Sequence, residues 1–172
     1  AYVKPGESVL VALGDAVIGE PTIGGLTSRL VRSCSPETLG IAVQEVPHNQ
    51  VSRYGIIKPA AVPSAEPFAF ADIVEKPAPE AAPSRFAVAA RYVLPPAVFD
   101  ALSDTKPDAK NEVQLTDALR TLLATGTPGV AVPLSAEEIR YDIGGFDSYY
   151  RAFAAFVQSE NQQTHTKEPI AA

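Results

Sequence analysis

Five apolar residues, Val9 to Leu13, follow one another before Gly14-Asp15. Such a run predicts a strand over 8–13 that is buried on both faces, with a carboxylate at its end. A turn region containing Gly19, Pro21, Gly24 and Gly25 follows. Leu26, Leu30 and Val31 then recur at helical spacing and predict a helix over 25–34, stopped by Ser35-Pro36. Alternation of Leu39, Ile41 and Val43 towards Val46 predicts a strand over 39–46, and Tyr54–Ile57 a third, short one. The stretch 58–67 holds three prolines and reads as an exposed loop. Strands are predicted over 68–76 and 85–94, with a proline-rich turn between them.

Pro95-Pro96 opens a helix whose apolar face is Val98, Phe99 and Leu102. After a polar loop over 104–111 comes a helix with Thr116 as its predicted N-cap. Leu119, Leu122 and Leu123 form one face of it, and Gly126 lies past its end. "GVAVPL" predicts another strand. The Gly144-Gly145 turn leads into a helix whose Phe146, Tyr149, Tyr150, Phe153 and Phe156 are expected mostly to face a core. Residues 161–172 are polar and are expected to form a flexible tail.

Strands alternating with helices give an α/β class. The strands at 39–46, 54–57, 68–76 and 85–93 have no helix between them to carry a parallel crossover, so part of the sheet is expected to be antiparallel or mixed. A length of 172 residues allows one domain with a real core. A net charge of −6 without basic clusters argues against a nucleic-acid partner. The longest apolar runs fall well short of the ~20 residues of a membrane span. One cysteine, Cys34, excludes an internal disulfide and suits a reducing, cytoplasmic setting.

Polar groups at the ends of apolar runs are the candidates for chemistry: Asp15, the Glu75-Lys76 pair, Glu112 and Asp142. Taken singly, an acid at a strand end is more often a helix cap or a solvated residue. Together they suggest a sharper combination. Asp15 and Asp142 suit a hard cation such as Mg²⁺, which takes few protein carboxylates and leaves positions for water and phosphate. Lys76 suits a phosphate as a point charge, and Glu75 and Glu112 suit sugar hydroxyls. His48, in a turn, and His165, near the C-terminus, have no metal-ligand spacing to each other or to Cys34.

The segments "VALGDAVIG", "EVPHNQVSRYGII", "ADIVEKPAPEAAPSRFAVAARYVLPPAVFDAL", "NEVQLTDAL" and "RYDIGGFDSYYRAF", in this order, resemble the bacterial UTP–glucose-1-phosphate uridylyltransferases, or UDP-glucose pyrophosphorylases. The resemblance covers about residues 8–157. It implies a mixed sheet with flanking helices, the Rossmann-like nucleotide-diphospho-sugar transferase fold, here without its N-terminal nucleotide-binding strands. It also implies Asp15 and Asp142 as ligands of Mg²⁺ and Gly55 beside the glucosyl ring. Glu75 is implied on sugar hydroxyls, Lys76 on the sugar phosphate and Glu112 on hydroxyls at the far side of the glucose. The implied reaction joins glucose 1-phosphate to the α-phosphorus of UTP and releases pyrophosphate.

Two departures from the family are visible. The glycine-rich G-x-G-T-R loop is not in this sequence, and the family's lysine two residues after the glycine of Y-D-x-G is Phe146 here. The expectation is that residues 1–160 are the sugar-phosphate-binding C-terminal part of a nucleotidyltransferase domain, inactive alone. Its partners are then a sugar phosphate and a nucleotide sugar, with self-association or a missing N-terminal half. The alternatives are a non-catalytic sugar-phosphate-binding or assembly module, or one piece of a two-chain enzyme.

Overall fold

A computed structural model describes residues 3, 4, 6–63 and 66–165, with side-chain surroundings as far as Gln158. The main sheet has six strands: β1 (Val9–Ala12), β3 (Leu39–Glu45), β4 (Gly55–Pro59), β5 (Phe68–Glu75), β6 (Phe86–Leu94) and β7 (Gly129–Pro133). Their spatial order is β1-β6-β3-β7-β5-β4. Only the β3–β7 pair is parallel, so the sheet is mixed, as the missing crossovers require. A separate ribbon pairs β2 (Ala16–Gly19) antiparallel with β8 (Ile139–Asp142). The helices are α1 (Gly25–Arg32), α2 (Val98–Asp104), α3 (Leu115–Ala124) and α4 (Phe146–His165).

β3 is the centre of the molecule. Leu39, Ile41 and Val43 point towards Val98 and Ala101 of α2 and Leu119 and Leu122 of α3. Ala42 points to the other side, where Leu26 and Leu30 of α1 pack. Helices on both faces bury five consecutive β3 residues, so the predicted one-sided alternation does not hold there. Gly40 lets α1 come close: a Cβ there would run into Cys34 Sγ and lie 3.2 Å from Leu30 Cδ1.

Other elements differ from expectation for physical reasons. β1 is an edge strand paired only with β6, so it buries one face; Leu10 and Leu13 are exposed. In α1, Leu26 and Leu30 are buried but Val31 faces solvent, because only the strip facing the sheet is covered. Phe99 of α2 is likewise exposed. α3 follows Gln114, so Thr116 lies within its first turn and is not a cap. The α4 aromatics do not face a core. Phe146 is 97% exposed, and Tyr149, Tyr150 and Phe153 are each more than half exposed. Among the described residues α4 lies chiefly on the narrow β2–β8 ribbon, through buried Ala152 and a tilted Tyr141–Phe156 ring pair at 5.5 Å. Residues 161–165, expected in the tail, continue this helix; 166–172 lie outside the described residues. No helix among the described residues is long and apolar enough to cross a membrane.

Candidate functional site

A cleft of about 340 Å³ opens where the β1–β2 turn, the start of β4, the end of β5, a bulge of β6, the first turn of α3 and the end of β8 meet. Five of the six candidate residues line it: Asp15, Gly55, Glu75, Lys76 and Asp142.

The two aspartates come from distant parts of the chain, and the short ribbon joins them. Ala16 pairs with Asp142 across it, and the Ile143 N–H donates to the Asp15 carbonyl at 2.7 Å. Asp142 Oδ1 accepts the Gly144 N–H at 3.0 Å. A Cβ built on Gly144 would lie 3.3 Å from Asp142 Oδ1 and 4.0 Å from Asp15 Oδ2, so both carboxylates flank the same spot of backbone.

Glu75 and Lys76 are neighbours, and in a straight strand their side chains would point to opposite faces. Lys76 instead adopts a left-handed φ of 43°, and its N–H donates to the Tyr54 carbonyl at 3.0 Å. This turn at the end of β5 aims both side chains into the cleft. Left-handed backbone in a residue other than glycine is costly and tends to sit where function needs it. Ala90, also on the cleft wall, has φ 62° where β6 bulges against β3. Glu75 Oε2 accepts the Thr116 hydroxyl at 2.9 Å, and its Oε1 lies 3.5 Å from Lys76 Nζ. The first turn of α3 thus holds Glu75 in place. Gly55 pairs with Glu75 between β4 and β5, and a Cβ there would come 3.2 Å from Glu75 Oε2. The missing side chain keeps the space beside the carboxylate open.

Glu112 is not brought into the cleft lining. It is exposed on the loop before α3, where its N–H donates to Asp108 Oδ1 at 3.0 Å and its carbonyl accepts the Asp108 N–H at 2.9 Å. The N–H groups of Glu112 and Lys110, with the Gln114 amide, hold the Asp108 carboxyl below its ordinary range. His48 is exposed in a 3₁₀ turn over His48–Arg53, away from the cleft lining. Cys34 is part-buried, and burial pushes its thiol up, away from the reactive thiolate.

Arg53, Tyr54, Tyr92, Thr116 and Arg140 line the cleft as well, and single-residue reading does not mark them as site residues. Tyr54, Tyr92 and Arg140 each stand inside a segment that carries the family resemblance, "SRYG", "RYVL" and "RYDIGG". Tyr92 is 8% exposed. Burial, then the Glu75 and Asp15 carboxylates, push its phenol up to about 12, against the opposing pull of Arg140. A phenol raised in the folded state stabilises the fold while it keeps its proton. That stability is complete below pH ~10 and is lost as pH rises to about 12, amounting to about 2–3 kcal/mol. Tyr92→Phe is expected to flatten the fall of Tm between pH 10 and 12. An unchanged slope in thermal melts would show that Tyr92 does not carry it.

The donor set also bears on a metal. No group of three or more His, Cys, Asp or Glu that could hold an ion occurs among the described residues. Two exposed carboxylates converging on one point suit an ion with hard, oxygen-rich coordination that keeps several waters, and Mg²⁺ is of that kind. Asp15 and Asp142 therefore fit it.

A mixed α/β sheet here gathers paired aspartates, a glutamate and a lysine at its strand ends, the place where open α/β sheets carry ligand crevices. Residues 2–159 match the family described as Nucleotidyl transferase, and the chain belongs to that family. It is 40% identical over 144 residues to UTP–glucose-1-phosphate uridylyltransferase 2 of Streptococcus pyogenes serotype M3, covering 80% of this chain and 46% of that protein. It is 43% identical over 104 residues to UTP–glucose-1-phosphate uridylyltransferase of Streptococcus pneumoniae serotype 4, covering 60% of this chain and 34% of that one. Among solved structures it superposes on a UDP-glucose pyrophosphorylase complexed with UDP-glucose, with a TM-score of 0.75 and 33% identity over 90% of this chain and 58% of that one. A UTP-bound UGPase from Acinetobacter baumannii gives 0.76 and 29%, over 96% of this chain and 58% of that one. The chain thus spans less than half the length of these curated relatives.

Proposed function

We propose that the cleft is the sugar-phosphate and metal half of a UTP–glucose-1-phosphate uridylyltransferase site. The observation that carries this reading is the convergence of Asp15, Gly55, Glu75, Lys76 and Asp142 on one polar cleft. Lys76 faces the phosphate of glucose 1-phosphate and offsets its charge. Glu75, held by Thr116, accepts from sugar hydroxyls, and the open space at Gly55 admits the ring. Glu112 serves hydroxyls on the far side of the ring if the loop before α3 leans over the cleft.

Asp15 and Asp142 are the residues that hold Mg²⁺, which when bound screens phosphate charge. In the overall reaction an oxygen of glucose 1-phosphate forms a bond to the α-phosphorus of UTP, and the bond to pyrophosphate breaks. Positioning and charge neutralisation do most of the work in such transfers. The curated relatives named as uridylyltransferases and the solved complex with UDP-glucose support this substrate class.

The sequence holds no glycine-rich G-x-G-T-R loop to grip a triphosphate. A polypeptide of these 172 residues is therefore expected to bind glucose 1-phosphate but to make no UDP-glucose from it with UTP and Mg²⁺. Calorimetry should show saturable binding that Lys76→Met weakens about tenfold, as loss of a charge-assisted contact does. Turnover by the unaided chain would contradict the half-site reading. Lack of binding would contradict the sugar-phosphate assignment.

A further inference from the structure

Arg140 is a cation of the cleft that forms no ion pair among the described residues. It stands two residues before Asp142 on β8, so the two side chains share one face of the ribbon, and both line the cleft. Its guanidinium carbon lies 4.9 Å from the centre of the Tyr54 ring, a stacked arrangement that orients the planar fork in advance. Its Nε is buried and has no hydrogen-bond partner among the described residues. Asp15, Glu75 and Asp142 share the same walls, yet none forms an ion pair with it. Glu75 is engaged by Thr116 and Lys76 instead.

The Nε is sealed from solvent, but the side chain lines the cleft wall, where an anionic ligand bringing its own oxygens would meet the charged fork. The surroundings narrow the choice. Phe146, at the position where the resembling family has lysine, is 97% exposed and lines a separate recess with Ile143 and Tyr149, so it gives the cleft no charge. Arg53 and Lys76 are the other cations on the cleft walls, Arg53 farther from the Tyr54 ring at 5.8 Å. Lys76 supplies a point charge, and a tetrahedral phosphate also accepts a two-pronged donor.

We propose that Arg140, stacked on Tyr54, binds the phosphate oxygens of the sugar-phosphate ligand and adds its charge to that of Lys76 in the phosphate subsite. This rests on the sugar-phosphate reading of the cleft and deepens it. Asp15 and Asp142 then remain free for the metal, since neither forms an ion pair with Arg140.

The test is calorimetric titration of glucose 1-phosphate into the protein and its R140M, R140K and K76M variants. Saturation-transfer NMR with uncharged glucose runs alongside, and thermal melts confirm folding. R140M is expected to weaken glucose 1-phosphate about tenfold or more while the glucose signal stays unchanged. R140K, which keeps the charge but loses the fork and the stack, is expected to lose about threefold, and it decides the matter if R140M does not fold. Arg140 variants that bind within twofold of the parent while K76M is weakened would overturn this proposal and leave the reading of the cleft intact. An equal loss for glucose and glucose 1-phosphate would mark Arg140 as merely structural and also overturn it. No binding by the unmutated protein would overturn both.

Discussion

Changing Asp15 and Asp142 together to asparagine is expected to weaken divalent-cation binding in the cleft about a hundredfold or more. Mn²⁺ is the practical probe, since it accepts the same carboxylate and water ligands as Mg²⁺ and broadens nearby NMR signals. The expected effect is large because these two carboxylates are the cleft's anionic donors that converge on one point. Their oxygens approach the same spot above Gly144, and the other acid of the cleft, Glu75, is engaged by Thr116 and Lys76. Asparagine keeps the shape and the hydrogen bond from the Gly144 N–H but removes both charges. Either single change leaves one carboxylate and is expected to cost about tenfold. Mn²⁺ broadening around Asp15 and Asp142 that persists in the double variant would show that the ion is held elsewhere.

The largest expected effect on stability belongs to Gly129→Val. Gly129 lies in β7, between β3 and β5, paired with Leu39 on one side and Phe70 on the other. A Cβ there would sit 2.5 Å from the Phe70 carbonyl oxygen and 3.0 Å from Leu123 Cδ2. The first of these is backbone, so the clash is relieved only by moving β5 away from β7, and their pairing covers only Phe68–Phe70. A cost of roughly 3 kcal/mol or more is expected, and a fall in Tm of about 6–12 °C. Gly40→Ala is a useful contrast. Its worst contact is the Cys34 sulfur, which a side-chain rotation can move, so its loss should be smaller. Thermal melts of the two variants check the order; a Gly129→Val protein as stable as the parent would show that the sheet yields there freely.

Some of this was legible in the sequence because it is local. The strands β5 and β6, the apolar face of α3 and the turn residue Gly126 past its end follow from local sequence alone. Asp15, Glu75, Lys76 and Asp142 could be picked out because each is a charge at the end of an apolar run. The β2–β8 ribbon was missed. Each of its strands has four residues, too few to show a period, and their pairing is a long-range fact. The same limit explains the aromatics of α4: their spacing shows that a helix has an apolar face but not whether anything covers it. β1 was read as fully buried because a local run cannot reveal that a strand lies at a sheet edge. Arg140, Tyr92 and Thr116 owe their place in the cleft to the β8 ribbon, the β6 bulge and the contact of α3 with β5, none of which a single segment encodes.

The most direct test of the cleft as a sugar-phosphate site is a titration of the isotope-labelled protein with glucose 1-phosphate and Mg²⁺, followed through backbone amide shifts. Saturable shifts are expected at Asp15, Gly55, Glu75, Lys76 and Asp142, with the aspartates responding further when the cation is added. Shifts gathered instead around the exposed aromatics of α4, or no saturable shifts at all, would contradict it.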